Sequence, residues 1–216
     1  PGEEVAVRVS TPARTRRTCW VPYLEGADTS VGSPSTPAAA ELRFRTPRQD
    51  GPARTFHVAV TGSDADSGLS PRHAWRTVEH AAARVRAGDT VLIHEGTYLE
   101  TLRMRATGAP DAPITFRAAP GETVWIEGSG QQRPTAFFLG AMHHIHLEGL
   151  RFRHFNHVPH AGGCIRIEGG SGHHIRRCFY DGREKGGYMP NFVTAIGTAS
   201  LRVENCVMIQ GMSVGL

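Results

Sequence analysis

Lysine is almost missing from this chain: of its 24 lysines and arginines only one, Lys185, is a lysine. The formal charge of +4 is carried by arginines spread along all 216 residues. No run of basic residues interleaved with aromatic ones occurs, which argues against a nucleic-acid surface. A mildly basic surface would equally suit acidic polysaccharides. Long apolar runs are missing too. A membrane-spanning helix needs about 20 consecutive apolar residues, and no stretch approaches that, so no span is expected. Cysteine is scarce, at positions 19, 164, 178 and 206, in no spacing that a metal site uses. The chain opens at Pro1 and stops at Leu216, inside what would be a further turn of its repeat, and is expected to be a piece of a longer protein.

What the chain does have is that repeat, between Phe137 and Met208, with a constant offset of 28. Phe137, Ile165 and Val193 form one column, and Leu139, Ile167 and Ala195 the next. Leu147, Ile175 and Val203 follow, then Leu150, Cys178 and Cys206, then Phe152, Tyr180 and Met208. A period in this range marks a solenoid, in which each unit buries its apolar face only by stacking on its neighbours. Within a unit the apolar positions lie two apart, the spacing of strands and not of helices. Stacked parallel strands with inward-pointing columns are therefore expected. Cys178 and Cys206 share an inward column, which reads as buried thiols rather than a disulfide. The same offset aligns outward rows: His146, His174 and Arg202, and beside them Glu148, Arg176 and Glu204. The second row alternates in charge, so neighbouring coils attract across it. A track contacting an acidic sugar chain is the alternative to a plain ladder of ion pairs.

Residues 1–50 have another texture. Val5, Val7 and Val9 alternate, Cys19 to Val21 is an apolar patch, and Leu42 and Phe44 alternate with charges around a loop rich in Ser, Pro, Ala and Thr. This reads as a partial β-sandwich or a linker, and the segment Glu41 to Pro47 is similar to the last strand of fibronectin type III-like domains. From residue 55 a second domain runs to 216. Phe56, Val58 and Val60 alternate as a strand, and the polar turn Thr61–Gly68 contains Asp64 and Asp66, whose side chains fit a turn brace or a cation contact. Then Trp75, Val78, Ala81, Ala82 and Val85 fall three and four apart, on one face of a helix. Ser70 with Pro71, or Thr77, starts it, and Gly88 ends it.

The string from Thr55 to Leu102, with "GSDADSG", "GDTV" and "GTY", and the later "PITFRAAPGE", closely resembles the N-terminal segment of right-handed parallel β-helix proteins of the pectate-lyase-like superfamily. Trp75 stands where that family commonly has phenylalanine. The resemblance implies an all-β right-handed parallel β-helix, C-terminally incomplete, with an N-terminal capping helix. Such a helix covers the open end of the stack, where core and unpaired strand edges would otherwise be exposed. Val78, Ala82 and Val85 would face the core. The resemblance also implies a secreted or cell-surface protein acting on polysaccharide, expected as a monomer, with Ca²⁺ as the cofactor such lyases generally use. These motifs belong to the scaffold and contain no catalytic residue.

Candidate chemistry lies in two loops that the offset sets side by side. Arg153, His154, His157 and His160 follow Phe152; Asp181, Arg183, Glu184, Lys185 and Tyr188 follow Tyr180. β-Elimination along a uronate chain needs a base at C5 and a cation at the carboxylate. Lys185 or Arg183 is the candidate base, Asp181 and Glu184 complete the catalytic set, and His154, His157, His160, Tyr188, Arg153 and Arg176 are candidates for substrate binding. Calcium asks for six to eight oxygens, and only Asp181, Glu184 and Asn191 are at hand. Asp181 and Glu184 would also serve a glycosidase, which needs one protonated and one ionised carboxyl. His143, His144, His146, His173 and His174 are out of phase for a zinc site. A polysaccharide lyase is the first reading, a glycoside hydrolase the second, and a non-catalytic surface module binding glycan or protein the third.

Overall fold

The computed structural model describes residues 52–128, 135–155, 164–183 and 191–209, with the backbone of two short strands nearer the N-terminus. Those strands, β1 (Val5–Arg8) and β2 (Glu41–Phe44), pair antiparallel with Val5 opposite Phe44. They belong to a compact unit, Pro1–Asp50, and the rest of the chain forms a second, Gly51–Leu216. The apolar patch at Cys19 to Val21 lies outside the described residues.

The second unit is a solenoid of about four turns. It opens with β3 (Thr55–Val58), and after α1 (Val78–Ala82) the strands run in threes. The first coil holds β4 (Thr90–Ile93), β5 (Gly96–Tyr98) and β6 (Leu102–Arg103), and the second β7 (Ile114–Ala118), β8 (Val124–Glu127) and β9 (Phe137–Gly140). The third holds β10 (Ile145–Glu148), β11 (Arg151–Arg153) and β12 (Ile165–Glu168). The fourth holds β13 (His174–Arg176), β14 (Phe179–Asp181) and β15 (Val193–Ile196), and β16 (Arg202–Glu204) and β17 (Val207–Ile209) begin another. Sheet I stacks β3, β4, β7, β10, β13 and β16; sheet II stacks β5, β8, β11, β14 and β17; sheet III stacks β6, β9, β12 and β15. Every pairing in these sheets is parallel, coil upon coil.

Period-two patterning sets what lies inside. In β8, β10 and β12 buried residues alternate with half-buried ones. The inward aromatics meet in the middle, with Phe137 edge-on to Phe116 at 5.8 Å and to Phe152 at 6.1 Å. Phe192 stacks on Tyr180 at 5.5 Å. The rungs His146–His174–Arg202 and Glu148–Arg176–Glu204 form as the offset predicts. Leu139, Ile167 and Ala195 are all interior, but the backbone partner of Ile167 is Gly140, because the register slips one residue after Arg166. Cys164 and Cys178 are buried thiols and Cys206 a half-buried one. No helix among the described residues is long and apolar enough to cross a membrane.

The capping segment buries the face its pattern predicts, but its helix stops at Ala82 with Ala83 as C-cap, short of Gly88. Val78, Ala81, Ala82 and Val85 are buried. Thr77, not Ser70, is the N-cap, its side chain accepting from the His80 N–H at 3.1 Å. Ser70 and Pro71 instead open a separate short 3-10 turn over Pro71–His73. Trp75 stacks on Phe56 with ring centroids 4.4 Å apart and donates from Nε1 to the Asp66 carbonyl at 2.9 Å. That satisfied indole makes tryptophan fit where the family commonly has phenylalanine. Asp64 braces the turn, accepting from the N–H groups of Arg76 and Thr77 and from the Thr77 hydroxyl at 2.8–3.0 Å.

Candidate functional site on sheet II

From the third coil onward, sheets I and II meet at a tight two-residue corner with one left-handed residue: Gly149 at φ 69°, Arg177 at 52° and Asn205 at 53°. Sheets II and III are joined by connections of unequal length, from Tyr98 to Leu102 in the first coil and from Arg153 to Ile165 in the third. The side chains ending β8, β11 and β14 stand where those connections leave. Glu127 lies opposite Arg153, and Arg153 opposite Asp181. Strand alternation turns all three outward, since Ile126, Phe152 and Tyr180 beside them point into the core.

This row is closely paired. Arg153 donates to Glu127 from Nε at 2.9 Å and from Nη2 at 2.7 Å, and His154 Nδ1 meets the other oxygen of Glu127 at 3.0 Å. Arg183 clasps Asp181 with Nε at 2.9 Å and Nη2 at 2.6 Å, and its backbone N–H adds a third bond. The Arg183 guanidinium, with lesser help from His154, holds the Asp181 carboxyl below the usual carboxylate range, and Asp181 raises the Arg183 guanidinium in turn. Arg183 thus stays protonated, and Asp181 ionised.

A second outward row runs one step earlier along the strands, Trp125–Arg151–Phe179. The Arg151 guanidinium lies 5.7 Å from the Trp125 ring centroid and 5.6 Å from that of Phe179. The two rings lean toward each other over it, 5.9 Å apart and nearly perpendicular. Arg153 lies over the same indole at 4.5 Å. Unlike Arg153, Arg151 has no carboxylate partner among the described residues.

Of the residues singled out from the sequence, Arg153, His154, Asp181 and Arg183 come together here. Arg176 does not: it sits on the outer face of sheet I, bonded to Glu148 at 2.7 Å. His157, His160, Glu184, Lys185 and Tyr188 lie outside the described residues. Sequence reasoning missed Glu127 because the step from Glu127 to Arg153 is 26 residues, out of phase with the 28-residue offset. Arg151 and Phe179 are in phase but lie outside the two outward rows that carry charge on sheet I, and Trp125 stands 26 residues before Arg151, out of phase.

The described carboxylates do not fit calcium. Both oxygens of Glu127 face cationic or imidazole donors, and Asp181 is clasped by Arg183. Among the described residues no three His, Cys, Asp or Glu side chains converge as a metal site, the histidine run included. His143 bonds Ser171 at 3.0 Å, and His146 meets His174 edge-on at 5.6 Å.

Comparison with known proteins agrees with this architecture. The family described as "Pel9A-like, right handed beta helix region" matches residues 56–207. YwoF of Bacillus subtilis (strain 168) is 32% identical over 132 residues, covering 59% of this chain and 28% of that protein. A rhamnogalacturonan lyase superposes with a TM-score of 0.51 at 19% identity, over 72% of this chain and 56% of the other. The GH136 lacto-N-biosidase of Eubacterium ramulus superposes at 0.54 and 15% identity, over 74% of this chain and 36% of the other. The chain thus spans between 28% and 56% of the length of these proteins, and the two structural likenesses show a fold that a lyase and a glycosidase share. With the matched region running from β3 into β17, this chain belongs to the Pel9A-like right-handed β-helix family.

Proposed function

We propose that the protein binds an acidic polysaccharide across the outer face of sheet II and cleaves it by β-elimination. The observation that supports this most directly is Arg151, an outward guanidinium held between two aromatic rings and left without a carboxylate. A hexuronate unit offers the two things such a site binds: a C–H face for an aromatic ring and a carboxylate for a guanidinium. Arg153, fixed by Glu127, adds a second positive edge, and Asp181 can accept from sugar hydroxyls.

In the reaction a base takes the C5 proton, the C4–C5 double bond forms, the C4–O bond breaks, and the leaving oxygen takes up a proton. Pairing the uronate carboxylate with Arg151 makes the C5 proton more acidic. We assign the base to Lys185, since Arg183 is held protonated by Asp181. A lysine gives up its proton more readily among other cations or when desolvated. The protein would work outside the cell or at its surface, where such polymers occur.

The test is incubation with pectate, alginate and chondroitin while following the ultraviolet absorbance of the unsaturated product. Activity lost in Lys185→Ala and Arg151→Ala is expected. New reducing ends without that absorbance would replace the lyase with a hydrolase, and binding without either product would make this a glycan-binding module.

A further inference from the structure

Away from sheet II, the capping segment and the edge of sheet III enclose an open hollow of about 390 Å³. Its walls include Asp64, Glu79 and His80 on the cap side, with Arg103 and Arg105 on the sheet side. The walls are held in place. Asp64 is fixed by its three donors from Arg76 and Thr77. His80 leans on Trp75, with ring centroids 5.1 Å apart. The Arg103 guanidinium lies over the Phe138 ring at 4.5 Å, and Arg105 is the next outward residue, past buried Met104.

The charges lining this hollow do not cancel one another. Neither Arg103 nor Arg105 has a carboxylate partner among the described residues, although Asp64 and Glu79 line the same cavity. His80 is pushed below its ordinary pKa by burial, and so adds a neutral ring at neutral pH. Two guanidiniums on one wall and two carboxylates on the other call for a ligand with an anion at one end and hydrogen-bond donors at the other. A dianion such as a phosphate ester would meet the carboxylates unfavourably, whereas a singly charged carboxylate would meet them less so. The volume falls within the range of small-molecule pockets.

We propose that this hollow is a second carbohydrate site, one that takes a single uronic-acid unit. Its carboxylate bonds to Arg103 and Arg105, and its hydroxyls donate to Asp64 and Glu79. That the acid is a sugar, rather than another small hydroxy acid, rests on the polysaccharide reading above. Arg103 is also the first member of the outward row Arg103–Phe138–Arg166–Thr194 on sheet III, so a chain end seated in the hollow would continue along that row.

The experiment is an NMR titration of the full chain with galacturonate, glucuronate and neutral galactose. Saturable binding of at least one uronate is expected, with galactose at least tenfold weaker and affinity falling as salt rises. The double variant Arg103→Gln/Arg105→Gln should weaken uronate binding, read at the resonances of the hollow, at least tenfold, while Arg202→Gln on sheet I leaves it unchanged. Equal binding of galactose, no saturable uronate binding, or full affinity in the double variant would each overturn the proposal. Its fate separates from that of the lyase reading: polymer cleavage that survives while uronate binding is absent sinks only this site. Arginine-dependent binding in a protein without lyase activity sinks only the other.

Discussion

Arg54 and Asp89 close the first turn of the solenoid across 35 residues of sequence. Asp89 is fully buried, and its carboxylate accepts from the Arg54 backbone at 3.1 Å, from Arg54 Nη2 at 2.8 Å and from the Arg86 backbone at 3.0 Å. Removing such a carboxylate leaves part-buried donors without their partner. Asp89→Ala is expected to lower stability by about 1–3 kcal/mol, and Asp89→Asn, which keeps an acceptor, by less. Urea denaturation of the three proteins tests the order.

His173 predicts acid lability. It is buried, and neither ring nitrogen has a hydrogen-bond partner. Burial, with repulsion from His143 and His144, pushes its pKa from 6.5 down to about 4. Below pH 6.5 the unfolded chain takes up a proton that the folded chain refuses, so stability falls as pH drops from 6.5 toward 4 and is level above that window. His57, His80, His144 and His146 are lowered as well and act in the same direction. His173 alone accounts for roughly 3 kcal/mol over the window. Melting temperatures between pH 8 and pH 4 should show the decline, and His173→Leu should flatten it.

Gly170 has φ 71°, and a Cβ added there would run into the Met142 carbonyl oxygen of the preceding coil. Gly170→Ala is expected to destabilise by at least about 2 kcal/mol. At Gly121, also at positive φ but with nothing within 4 Å, alanine should cost only the backbone strain. Thermal melts of both variants decide whether the close approach or the dihedral matters more.

Val85 sits under the cap with 4% of its surface exposed. Val85→Asp would bury a carboxylate among Val78, Ala81 and Ala82, and is expected to cost several kcal/mol. An unchanged melting curve would mean that the capping segment does not support the stack.

Trp125 and Arg151 separate binding from stability. Both are only partly covered, and cation–π contacts at exposed sites contribute about 0.5–1 kcal/mol. Trp125→Ala and Arg151→Ala should therefore melt close to the parent while binding pectate at least tenfold more weakly, as read by calorimetry.

The fold was legible because its signals are local and repeat. The column Leu147–Ile175–Val203 and the rung Glu148–Arg176–Glu204 need only a constant offset and strand alternation, and both are present as written. The site was legible only where that offset holds. Arg153 and Asp181 are in phase, and were placed together correctly. Glu127 is two residues out of phase, and Arg176, though in phase with its own rung, faces away on sheet I. Spacing along a chain says which residues share a rung; which of three faces the rung belongs to depends on where the corners fall. Here a single left-handed residue, such as Arg177 at φ 52°, makes the corner. Arginine carries no sequence signal for that conformation, unlike glycine.

The unequal connections between sheets II and III have a further consequence. Each coil returns to its rung whether it leaves Tyr98 for Leu102 or Arg153 for Ile165. Doubling the length of a loop adds only about 0.6 kcal/mol of closure entropy, while the strands on either side stay paired in parallel. This edge of the solenoid can therefore gain, lose or exchange whole segments with little effect on folding. From the third coil onward the corner between sheets I and II is two residues long with one of them left-handed, and there it has no such freedom. Selection for new ligands can act along one seam of the molecule while selection for stability acts along the other.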